Sequence, residues 1–208
     1  MNLITKKYKT LDKEVVLELP EYGSIHIMVS GGMDSALLLY MIAKLSNGLH
    51  DISTYTVAKT DGAWFHSKNI IDWAQHRFPN IIRHIAVGNP GLEHDMQVRS
   101  GYIEAIAKHK APVLYLGENQ NPPAEFLMGG LYPNRMPPGT KHPYLVTPFL
   151  HLYKSHIAEL CKQLDLDDLI ELTHTCTALM VGRCNECFAC TERAWGFSQI
   201  GHQDPSTR

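Results

Sequence analysis

Two groups of residues in this chain have types and spacings suited to chemistry. The first is Ser30-Gly31-Gly32-Met33-Asp34-Ser35, which follows the strand-like run Ile25–Val29 and precedes the apolar helix-like run Ala36–Ala43. Where a buried strand turns into a buried helix, successive main-chain amides and the positive helix end converge, and an anion is favoured there. The glycines let the backbone come close to phosphate oxygens, Met33 adds its amide, and Ser30 and Ser35 offer hydroxyl donors. Asp34 would repel a phosphate unless a divalent cation lay between them, which implies Mg²⁺ and a nucleotide. The chain contains neither Gly-x4-Gly-Lys-Ser/Thr nor Gly-x-Gly-x-x-Gly, so kinase-like phosphate loops and dinucleotide folds lose support.

The second group is Cys176, Cys184, Cys187 and Cys190, spaced C-x7-C-x2-C-x2-C. The short spacings let a tight turn aim several thiolates at one ion, and four soft donors suit tetrahedral zinc. Iron–sulfur centres share the C-x2-C-x2-C run, and His174 stands near enough to compete as a ligand. A closed four-thiolate site leaves no open coordination position, so its metal should staple the tail rather than catalyse. The fifth cysteine, Cys161, falls on an apolar stripe and reads as core.

These groups need a scaffold, and the remaining pattern supplies one. A hairpin is expected around Val15–Leu19. Beyond Ile25–Val29 and the first helix, which Asn47-Gly48 should stop, come a strand at Ile52–Ala58, a helix at Ala63–Arg77 and a strand at Ile81–Val87. A helix at Asp95–Lys110 and a strand at Val113–Leu116 follow. Such alternation predicts a five-stranded parallel sheet with helices on both faces. Residues Gln120–Tyr144 read as a long loop, Thr147-Pro148 as the start of another helix, and Leu169–Leu172 as a last edge strand. In such sheets ligands sit where the strand order reverses, so Gly117, after the fourth strand, should face the Ser30 bend. Lys154, inside the helix after the loop, is either a solvated lysine or the cation that meets pyrophosphate from the opposite side.

Composition sets the class. The 208 residues are 44% hydrophobic and 19% charged, as in a globular domain, read as a single unit 1–208. A formal charge of −2 argues against long nucleic acids and anionic membranes as partners. The longest apolar run falls well short of the roughly 20 residues that span a bilayer, and the first residues lack an export-type core. The expectation is a cytoplasmic protein with reduced cysteines.

Residue for residue, the glycine hexapeptide resembles the SGGxDS signature of the PP-loop ATP pyrophosphatases, enzymes that cleave ATP between the α and β phosphates and adenylate a substrate. Joined to the cysteine array, it is similar to the 7-cyano-7-deazaguanine synthase (QueC) family. That family's tail of Ser-Cys-Tyr, then Cys-Gly-x-Cys-x-x-Cys-x-x-Arg, an aromatic near Gly, and Asp-Pro has counterparts here. They are Thr175-Cys176-Thr177, Cys184 through Arg193, Gly196-Phe197 and Asp204-Pro205. Asp61 and His66, Arg99 and Gly117 are fainter echoes. The chain departs at Tyr132-Pro133-Asn134-Arg135, where the family has Tyr-Pro-Asp-Cys-Arg, and at Trp64-Phe65, which is either a repacked helix start or a stacking surface.

The resemblance implies a PP-loop fold of the adenine nucleotide alpha hydrolase type, with residues 174–193 as a zinc-binding segment. It implies that Ser30, Gly31, Gly32, Met33, Asp34, Ser35 and Gly117 bind ATP with Mg²⁺, with Asp34 and Lys154 catalytic. The implied reaction converts a 7-carboxy-7-deazaguanine with ATP and ammonia to the amide or nitrile, releasing AMP and pyrophosphate, in a homodimer. Competing expectations keep the adenylation with a tRNA base or protein acceptor, or reduce the chain to a zinc-stapled nucleotide-binding adaptor.

Overall fold

The computed structural model describes residues 3–57, 59, 61–92, 94–123, 126 and 143–207. Ala58 and much of the expected loop Gln120–Tyr144, including the stretch Tyr132–Arg135, lie outside the described residues.

The chain opens with an antiparallel hairpin, β1 (Leu3–Lys9) and β2 (Glu14–Pro20), that forms its own two-stranded sheet. In β2 the period of two places Val15, Leu17 and Leu19 fully inside, and each such burial stabilises by about 1.5–3 kcal/mol. The main sheet follows: β3 (Ile25–Met28), β4 (Ile52–Val57), β5 (Ile81–Val87), β6 (Leu114–Tyr115) and β7 (Leu145–Val146), all parallel in the order β5-β4-β3-β6-β7. All six residues of β4 are buried, as a strand covered on both faces requires.

Helices α1 (Met33–Ser46), α2 (Ala63–Arg77), α4 (Lys154–Gln163), α5 (Asp167–Glu171) and α6 (Phe188–Gln199) are the other elements of this side. Together with the hairpin they build the larger core around Leu37, Leu38, Ile70, Ile157 and Phe197. On the opposite face α3 (His94–His109) seals a smaller core of Tyr55, Val57, Tyr102, Ala105 and Leu114. The expected five-stranded α/β architecture is therefore present. Helix α1 ends where the sequence says it should, with Asn47 at φ 47° donating its amide to Ala43 O.

Two expectations are corrected. Leu169–Leu172 is not an edge strand. Leu166, Leu169 and Ile170 are buried at i, i+3, i+4, and Asp167 and Asp168 favour a helix start, so this segment carries the one-turn α5. The fifth strand is the two-residue β7 instead, too short to show any period. Nor does a helix begin at Thr147-Pro148. Residues 148–151 form turns, and the helix starts at Lys154 because the Tyr153 amide donates to His156 Nδ1 at 2.9 Å and closes the cap.

Candidate active site

The strand order places β3 beside β6, and the connection reverses direction between them, so the carboxyl ends of these strands open into a crevice. The bend Ser30–Ser35 and Gly117 meet there. A Cβ on Gly117 would lie 2.9 Å from both Asp34 C and Ser35 N, so only glycine lets the end of β6 rest against the first turn of α1. Gly117 thus acts by close approach to the bend. Gly117→Ala is expected to push the two segments apart, costing about 1–3 kcal/mol. It should also weaken binding of an ATP analogue, which titration calorimetry would register.

The bend is braced from within. Ser35 Oγ accepts from the Ser30 amide (3.1 Å) and donates to Gly32 O (3.1 Å), while Ser30 Oγ accepts from the Gly32 amide (3.3 Å). The serine hydroxyls expected to reach outward mainly hold the loop's shape. Gly31 sits at φ +88°, and a Cβ there would meet His66 Cβ at 2.8 Å, so this glycine is required both by its backbone and by α2. The amides of Met33, Asp34 and Ser35, opening α1, have no preceding helical carbonyl to bond, which is what an anion site needs.

Lys154 and Asp34, singled out separately in the sequence, are brought together. Lys154 Nζ lies 2.5 Å from Asp34 Oδ2 and 3.7 Å from Glu192 Oε2 of α6, with the lysine side chain only 4% exposed. Burial works against its charge, but Asp34 and then Glu192 outweigh that and raise its pKa above the ordinary lysine value. Asp34 Oδ1 is buried and has no hydrogen-bond partner among the described residues. An unsatisfied hard oxygen beside an anion bend is a suitable ligand for Mg²⁺.

Two clefts flank this pair. One of about 660 Å³ is walled largely by Met28, Val29, Val57, Val98, Tyr102 and Leu116. The other, about 640 Å³, is polar and includes Asp61, His66, Asn119, Lys154, His174 and Thr177. Both reach Ser30, Asp34 and Lys59. His66 and His174 stack with centroids 4.0 Å apart and planes within 7°. Their Nε2 atoms donate to Met180 O and Leu179 O at 2.8 Å, since a carbonyl can only accept. The His174 amide donates to Gly31 O (2.9 Å), tying the tail to the bend. Asp61 caps α2 at the Ala63 amide (3.1 Å) and pairs with Lys59 (2.9 Å). Trp64 stacks on His84 (4.1 Å, 17°) and lines neither cleft, while Phe65 beside it is exposed; Arg99 is exposed on α3. Burial pulls His84 down to about 4, so that ring packs as a neutral group at neutral pH.

The four expected cysteines converge, with Sγ atoms all within 4.8 Å of one another, and could hold a metal ion. Cys184 Sγ accepts from the Cys187 amide (3.2 Å), Cys176 Sγ from the Leu179 amide (3.3 Å), and Cys187 caps α6, whose first turn carries Cys190. Burial alone would raise the thiols of Cys176, Cys187 and Cys190, yet backbone and side-chain donors override it at Cys176, which falls below the ordinary value, and at Cys187, which is held at about 6. At Cys190, burial and the neighbouring Cys187 push the thiol up to about 12. Thiols this crowded ionise together only around a cation. His174 is outside this set, and Cys161 is buried in the core as expected. Burial raises its pKa, leaving an unreactive thiol.

Sequence reasoning missed Lys59 and Glu192. Glu192 becomes visible only once α6 packs beside α4, whereas Lys59, just beyond the carboxyl end of an expected strand, stood where ligand-binding residues gather.

Residues 137–201 match the family model for the queuosine biosynthesis protein QueC. No curated protein sequence matches the chain significantly. Among solved structures, NMN synthetase from Francisella tularensis superposes with a TM-score of 0.50 at 16% identity, over 88% of this chain and 79% of that one. The U34-tRNA thiolase NcsA from Methanococcus maripaludis, solved with its 4Fe-4S cluster, gives 0.47 at 13% identity over 90% and 68%. No helix among the described residues is long and apolar enough to cross a membrane. The family match covers less than a third of the chain, in its tail, and the superposition on NMN synthetase shows a shared fold.

Proposed function

We propose that the protein adenylates 7-carboxy-7-deazaguanine, or a related deazapurine carboxylate, and displaces AMP with ammonia to give the amide; where the nitrile forms, a second ATP adenylates the amide oxygen, which leaves with AMP as the two amide protons are lost. The observation that carries this reading is the Lys154–Asp34 pair beside the glycine bend, between an apolar and a polar cleft, in a chain whose tail matches QueC. The apolar cleft takes adenosine, and the free amides of α1 take the polyphosphate. The polar cleft presents the carboxylate to the α phosphorus. Attack by a carboxylate oxygen forms the new P–O bond, and the bond to the bridging oxygen breaks with its electrons leaving on pyrophosphate. Lys154 neutralises that leaving charge from a fixed position, where little reorganisation is needed. Asp34, through its unpartnered Oδ1, would hold Mg²⁺, which would supply further charge neutralisation on the phosphates.

The cysteine site takes zinc in this reading. Thiolates about 2.3 Å from one ion lie roughly 3.8 Å apart, and the observed sulfur spacing needs only slight contraction. Cys187→Ser should therefore lose the metal in elemental analysis and lower the melting temperature, because structural metal affinity is folding free energy. Iron in the purified wild type would overturn the zinc assignment.

The decisive assay supplies ATP, Mg²⁺, ammonium and 7-carboxy-7-deazaguanine. AMP, pyrophosphate and an amide or nitrile product are expected; ADP and phosphate would refute the mechanism.

A further inference from the structure

The apolar and polar clefts share three residues, Ser30, Asp34 and Lys59. If adenosine occupies the first cleft and the acceptor meets phosphate in the second, the α phosphorus, which joins nucleoside to pyrophosphate, lies where the two open into each other. Of the three shared residues only Lys59 is a cation. It follows β4, neighbour of the strand that carries the bend, and its amide donates to Val57 O at 2.8 Å in a tight turn. The side chain is only 13% exposed, unusual for lysine, and lies 2.9 Å from Asp61 Oδ2, which also caps α2. The chain thus keeps a second ammonium group at the crevice and anchors it on a helix start.

We propose that Lys59 is a catalytic residue of the adenylation step proposed above, binding the non-bridging oxygens of the α phosphate. Lys154 acts on the departing pyrophosphate, whereas Lys59 acts on the phosphorus under attack, where charge accumulates as the acceptor oxygen bonds and the bridging oxygen leaves. The lysine moves no proton; it donates hydrogen bonds to oxygens whose charge grows in the transition state.

The test compares full-length wild type, Lys59→Met, Lys59→Arg and Asp61→Asn by two readouts: AMP release, and the ³¹P spectrum of bound α,β-methylene ATP. Lys59→Met should lower kcat by about 10²–10³-fold, as loss of one transition-state donor does. The KM for ATP should move by less than about threefold, and Lys59→Arg should recover part of the rate. The α-phosphorus resonance should shift in Lys59→Met while the γ resonance stays. A Lys59→Met enzyme turning over at the wild-type rate, or one that shifts only the γ resonance, overturns the assignment. So does an Asp61→Asn variant that loses the same rate with its α resonance unmoved, since the lysine and aspartate would then merely brace the turn. The spectrum requires only a bound analogue, so it judges Lys59 independently of whether the acceptor is a deazapurine.

Discussion

Asp34→Asn should abolish turnover while leaving a folded, metal-loaded protein. The substitution keeps the size of the side chain and an oxygen for Lys154, but removes the negative charge that pairs with the lysine and that, in the proposed function, would hold a divalent cation. A loss of about 10²–10³-fold or more in the rate of AMP formation is expected. Glu192, 3.7 Å from Lys154, continues to offset the buried ammonium charge, so the stability loss should stay below about 3 kcal/mol. Unchanged circular dichroism and metal content, with AMP release lost, would establish that the effect belongs to the site. An Asp34→Asn enzyme with ordinary turnover would remove this aspartate from the mechanism and return the bend to a purely structural turn.

The largest stability effect is expected at Asp204. Arg193 of α6 is about 1% exposed, and Asp204 accepts from its Nε at 2.7 Å and from Nη2 at 3.0 Å. Nη1 donates to Thr173 and Thr175, and Asp204 also receives Arg183 at 2.6 Å. Asp204→Ala strands a fully buried guanidinium and should cost about 3–5 kcal/mol, measured by chemical denaturation. Removing both charges, as in Arg193→Met with Asp204→Leu, should recover much of that loss, because the penalty comes from the uncompensated charge.

The same pair fixes a pH dependence. Burial alone would raise the Asp204 carboxyl, but Arg193 and then Arg183 hold it far below the usual carboxylate range. A carboxylate depressed in the folded state contributes stability that is complete above its unfolded pKa, about 3.9, and is lost as the pH falls through its folded value. Wild-type stability should therefore drop steeply on acidification below about pH 4, and the Asp204→Ala protein should show a shallower decline over that range.

The legibility of this molecule follows the length and regularity of its parts. Helices α1 and α2 and strand β5 are plain in the chain because each has a sustained apolar pattern and a stop at Asn47, Pro79 or Gly88. The two misjudged segments are short. Leu169–Leu172 offers four residues on which strand and helix patterns agree, and Thr147-Pro148 carries a helix-start pattern although the cap that starts the helix forms at Tyr153. The anion bend and the four thiols are legible because their residue types are themselves the chemistry. The partnership of Asp34 with Lys154, the His66–His174 stack and the Arg193–Asp204 clamp join residues far apart in the chain, and no local pattern encodes such meetings.

The pairing of β3 with β6 also bears on how the protein assembles. Two complete strand–helix units separate these neighbours along the chain, so closing the crevice is a distant and entropically expensive contact. Helical signal and collapse can precede it during refolding. Affinity for the nucleotide proposed above cannot, because half of the crevice arrives only when β6 docks, and competence for a ligand there belongs to the slowest phase of the folding trajectory.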